Sequence, residues 1–96
     1  MNICFSSFTM FFSVRWSGRV VFGGETGASF VFTASTDDGS RLRVDGREIL
    51  NHWDECCAAW QSDPVYEIGG DEGKELAFEM HQGAGGAYAS LSWQQQ

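Results

Sequence analysis

The chain has 96 residues, room for one domain around one core, and its 43% hydrophobic and 15% aromatic content argues against disorder. A formal net charge of −7 argues against a nucleic-acid partner, because phosphates require a basic face. The apolar start is too short and too polar to insert in a membrane, so no membrane insertion is expected.

Residues 1–11 lack a basic n-region and a small-residue cleavage site, so they read as a leader or the remnant of an opening strand. Phe12, Val14 and Trp16 then alternate with Ser13, Arg15 and Ser17, the period of a half-buried strand. Gly23 to Gly27 interrupts it. Ala28, Phe30, Phe32 and Ala34 share one face of a second strand, which runs into Asp37, Asp38 and Gly39. Leu42 and Val44 alternate with Arg41 and Arg43, whose side chains are expected on a solvated face. Asp45-Gly46 follows as a two-residue hairpin turn, since both positions need positive φ, and Glu48-Ile49-Leu50 returns.

Residues 51–64 read as a loop and "VYEIGG", 65–70, as a short strand. Leu76, Phe78 and Met80 point inward along one later strand, and Ala87, Ala89, Leu91 and Trp93 along the last. No segment carries a helical period. The expected fold is therefore all-β, an antiparallel β-sandwich or barrel-like single domain over residues 12–93, with a tail at 94–96.

Three cysteines cannot complete a disulfide framework. Cys4 joined to Cys56 or Cys57 is the favoured oxidised state over the strained adjacent pair, and free thiols are an equal reading. His52, Cys56, Cys57 and His81 raise zinc, but no Cys-x-x-Cys knuckle supports it. The carboxylate pairs Asp54-Glu55 and Asp71-Glu72 are neighbours in acidic loops. Neither pair sits in the apolar setting that a general acid needs, so the chain is not expected to be an enzyme.

The stretches "ETGASFVFTASTDDGSRLRVDGREILNHW" (25–53) and "EGKELAFEMHQGAGGAYASLSW" (72–93) resemble one family. It is the β-sandwich domain named after the N-terminal part of anthrax protective antigen, present in toxins, glycoside hydrolases, proteases, and fungal flocculins and adhesins. The resemblance spans Phe12 to Trp93. The chain is shorter than that domain at its start, and a missing opening strand would leave an edge unpaired.

The resemblance implies a carbohydrate-binding, lectin-like module that recognises glycan or polysaccharide hydroxyls through calcium, placed outside the cell or on its surface. Asp37 and Asp38 match the family's cation-binding aspartates. Gln82, Gly83, Gly85 and Gly86 fall in the loop that completes the site, where Gln82 is the nearest amide in place of the family's asparagine. Calcium takes six to eight oxygens, so backbone carbonyls and water would have to supply most of them. Trp60 is the candidate platform for a sugar ring, while Trp16, Trp53 and Trp93 read as core. The alternative is a non-catalytic structural or interaction module of a larger secreted enzyme, toxin or adhesin, packed against other domains of its parent. In that reading Asp37 and Asp38 are turn residues that accept backbone N–H bonds.

Overall fold

A computed structural model describes residues 2–6, 12–55, 58–82 and 88–96, with the backbone alone at 2–6, 12, 58 and 82. The described residues form strands β1 (Asn2–Ser6), β2 (Phe12–Val20), β3 (Phe30–Asp37), β4 (Ser40–Val44), β5 (Arg47–His52), β6 (Ala58–Gln61), β7 (Lys74–Gln82) and β8 (Tyr88–Gln95). They make two four-stranded sheets, β1-β8-β3-β6 and β2-β7-β4-β5, with every pairing antiparallel. The expected all-β sandwich is the observed architecture.

The alternation seen in the sequence builds the core. Phe30, Phe32 and Ala34 of β3, Leu76, Phe78 and Met80 of β7, and Ala89 and Leu91 of β8 are buried between the sheets with Leu42 and Val44. Each strand gives alternate residues to that layer, because successive side chains point to opposite faces. Trp16 stacks on Phe78 at 5.5 Å, and Phe22 meets the Trp93 ring edge-on at 5.2 Å, so both tryptophans flank the core as expected. The Asp45-Gly46 turn is also as expected, with φ of 50° and 78°. Its Asp45 extends the sheet: the Glu75 N–H donates to Asp45 Oδ1 at 2.8 Å, and the Asp45 N–H donates to the Glu75 carbonyl at 2.7 Å.

Three expectations are corrected. Residues 51–64 are not one loop: β5 reaches His52, and β6 pairs with β3 through Ala34↔Trp60 and Thr33↔Gln61. Four residues are too few to show a period. Residues 65–70 are not a strand, because Glu67 (φ 62°) and Gly70 (φ 106°) turn the chain, leaving only the isolated bridges Phe30↔Val65 and Gly23↔Gly70.

Trp53 is not core. Val44 pairs with Arg47 and Arg43 with Glu48, but Leu42 pairs with Leu50, so Ile49 is the extra residue of a β-bulge. That insertion shifts the alternation by one, turning His52 inward and Trp53 onto the outer face.

The favoured Cys4 disulfide falls on Cys56, Cys57 and the Cys4 side chain, which lie outside the described residues.

Candidate functional site

The end of the sandwich at which β3 and β5 finish gathers most of the residues singled out in the sequence. The turn after β3 is held between two strand ends. The Asp38 N–H donates to the His81 carbonyl and the His81 N–H to the Gly39 carbonyl, both at 3.1 Å, while Asp37 is in register with Tyr88 at the start of β8. Thr36, 2% exposed, donates its hydroxyl to the Asp38 carbonyl at 2.7 Å. The Asp37–Asp38 peptide bond is cis. Asp37 and Asp38 therefore sit beside the ends of β7 and β8, which flank residues 83–87. Gly83, Gly85 and Gly86 lie outside the described residues, as does the Gln82 side chain.

Gly39 is fixed by a close approach. A Cβ there would stand 2.0 Å from the Trp53 carbonyl oxygen and 2.6 Å from that of His52. The 52–55 turn consequently lies directly on the 37–39 turn. Each histidine holds this turn through a tryptophan. The His52 ring stacks on Trp60 at 4.6 Å with 5° between planes, and its Nδ1–H donates to Glu55 at 2.5 Å. The His81 ring lies 4.6 Å from Trp53, and its Nε2–H donates to the Trp53 carbonyl. Trp60, expected as an open stacking platform, is half-buried against the core with one face covered by His52. Among the described residues no three His, Cys, Asp or Glu side chains converge on a common metal position.

The outer face of β2-β7-β4-β5 carries a second cluster. Arg41 forks onto Glu79, with Nε and Nη2 each 3.2 Å from a carboxylate oxygen, and its guanidinium lies 4.2 Å over the Trp53 ring. Arg43 reaches Glu79 at 3.5 Å and Glu48 at 3.4 Å. Arg41 and Arg43 thus serve the sheet's own carboxylates rather than Asp37 and Asp38. The hydrogen bonds from Arg41 hold the Glu79 carboxyl below its ordinary range, outweighing the opposing effect of burial, and the same pairing raises Arg41. Arg41, Arg43, Glu79 and His81 were readable as outward positions of alternating strands. What the sequence did not carry was which strands are neighbours, and so which arginine meets which carboxylate.

No family model matches the chain. It is 33% identical over 82 residues to the anti-sigma-I factor RsgI3 of Acetivibrio thermocellus, a match covering 85% of this chain and 12% of that protein. Among solved structures, an anti-sigma factor domain-containing protein is 28% identical with a TM-score of 0.75. Another from Clostridium clariflavum is 20% identical with a TM-score of 0.74, and each match covers 88% of this chain and 28% of the other. A PA14 sugar-binding domain from an RTX adhesin superimposes with a TM-score of 0.69 at 16% identity, over 88% of this chain and 46% of that one.

The protective-antigen resemblance therefore holds at the level of the fold. The expected carbohydrate-binding, lectin-like and adhesin role, with carbohydrate as partner, is corrected by the anti-sigma relatives, which are regulatory proteins. The physical reason is that one sandwich hosts unrelated functions, so a likeness of strands and turns carries no ligand with it. This chain is similar, in sequence and in fold, to a small part of much longer anti-sigma factors.

Proposed function

We propose that the chain is a non-catalytic module of an anti-sigma-type regulatory protein, acting through contact with a protein partner, a sigma factor, rather than with carbohydrate. The observation that carries this reading is the 33% identity over 82 residues to an anti-sigma-I factor, with the 28% identical solved domain in support. The test is to co-express the chain with a sigma-I-type factor in a strain carrying a reporter that depends on that factor. Reporter output is expected to fall, and unchanged output at matched protein levels would count against the reading.

A divalent cation at the β3–β4 turn is a second proposal, favoured by the position of Asp37 and Asp38 beside the ends of β7 and β8. Calcium there would take the two carboxylates and carbonyl oxygens, and would tie the loops of that end together. A cation bound only by the folded chain at a hundred times its dissociation constant adds about 2.7 kcal/mol. For a domain of this size that is a rise in Tm on the order of 10 °C. Melts in calcium and in chelator, with Asp37→Ala and Asp38→Ala as controls, check it. Superimposable melts would leave both aspartates as turn residues.

A further inference from the structure

The outer face of β2-β7-β4-β5 differs in charge from the rest of the molecule. Arg15, Arg19, Arg41 and Arg43 stand there against Glu48, Glu75 and Glu79, leaving the face at +1 while the remainder of the −7 chain carries −8. The charges are not evenly matched across it. Both oxygens of Glu79 are taken by Arg41, Glu75 is held by Arg19 at 2.9 Å, and Arg43 has only long contacts, to Glu79 at 3.5 Å and Glu48 at 3.4 Å. Arg15, exposed and in register with Glu79, adds to the charge that lowers the Glu79 carboxyl but makes no direct ion pair among the described residues.

Between Arg15 and Arg43 the surface dips into a notch lined by Gly46, Glu75 and Leu76 as well as the small Ser17 and Ala77. Those two small residues are cross-strand partners, and Ala77 also pairs with Arg43. Arg15 and Arg43 face each other diagonally across β7, roughly 12 Å apart at the backbone by strand spacing and rise. Two long guanidinium side chains can close that span around one carboxylate, Arg43 exchanging its long contacts to Glu48 and Glu79 for it.

We infer that this notch is where an acidic segment of a protein partner docks, one of its carboxylates set between Arg15 and Arg43. The inference rests on the reading of the chain as a protein-binding module and names the face that does the binding. A carboxylate placed there meets two guanidinium donors, and guanidinium and carboxylate match in geometry as well as charge. The Arg–Glu pattern around the notch would orient the incoming segment, and the −8 remainder would repel it from other faces.

The test is a titration of hexaglutamate peptide into the isotope-labelled full chain at low ionic strength, followed by amide chemical shifts. Shifts are expected to concentrate on Arg15 to Ser17, Arg43 and Ala77, and to weaken with added salt. Joint reversal, Arg15→Glu with Arg43→Glu, is expected to weaken binding at least about fivefold, from two exposed ion pairs. Lys74→Glu, on the margin of the sheet, should not. Arg15→Gln alone touches no ion pair of the fold, so it gives the same direction of change if the double variant is unstable. Shifts that spread evenly, follow Lys74, or survive charge reversal would overturn the inference, as would self-association through this face in place of peptide binding. A sigma factor that binds the wild type and the double variant equally would overturn the notch and leave the proposed function standing. A sigma factor that binds neither would count against the function, while the peptide titration still decides the notch.

Discussion

Ser62 completes the β3 ladder where β6 runs out. The Phe32 N–H donates to Ser62 Oγ at 2.9 Å, and the Ser62 N–H donates to the Phe32 carbonyl at 2.8 Å, all in the buried interior. Ser62→Ala leaves a buried N–H unmet, so a loss of about 1–3 kcal/mol is expected in urea unfolding at unchanged m-value. A variant as stable as the wild type would show that this bond contributes little.

Glu79 gives a pH test. Its carboxyl is held below the ordinary 4.5 of glutamate, first by its hydrogen bonds from Arg41. A folded-state pKa below the unfolded one adds stability above the unfolded value, and that stability is lost as pH falls through the folded value. Wild type and Glu79→Gln should therefore differ most above about pH 5 and converge in acid. Denaturation midpoints across that range check it, and a gap that does not change with pH would contradict the pairing.

Between elements, the contact that most constrains the candidate site is Gly39 against the 52–55 turn. Gly39→Ala would drive a methyl group into the carbonyls of Trp53 and His52, which are backbone and cannot rotate away. A loss of about 1–3 kcal/mol, typical of overpacking, is expected, read from the denaturation midpoint. The amide signals of residues 37–39 and 52–55 should shift together. Independent shifts would mean that the two turns are not one unit.

The elements also mark how far the sequence could be read. Strands β3, β7 and β8 and the Asp45-Gly46 turn were legible because period-2 alternation and positive-φ turn residues are local signals. Strand β6 was not, being four residues that exist by pairing with β3. The bulge at Ile49 has no local mark either, yet it decides that Trp53 covers the outer face and His52 meets Trp60. Cross-strand partners such as Arg41 and Glu79, 38 residues apart, depend on sheet order, which short-range patterns do not encode.

At the scale of the molecule, the two ends and the two faces differ in what they offer. One end stacks the 37–39 and 52–55 turns into a unit bearing Asp37, Asp38, Asp54 and Glu55, and the outer face of β2-β7-β4-β5 holds four of the six basic residues. Aspartates 37 and 38 were legible as a pair at a strand end, and the topology sets them beside β7 and β8. The biological role was not legible. The resemblance that suggested sugar follows strands and turns common to the fold, whereas the anti-sigma relatives share sequence along most of the chain. The chain spans about an eighth of the curated relative's length, so its partner must be found by binding.

The most direct measurement is a calorimetric titration of the purified 96-residue chain with a purified sigma-I-type factor. The proposed function predicts saturable one-to-one binding with Kd in the micromolar range or tighter, about −8 kcal/mol or better. Absence of binding, with both proteins folded and concentrations well above that range, would contradict it.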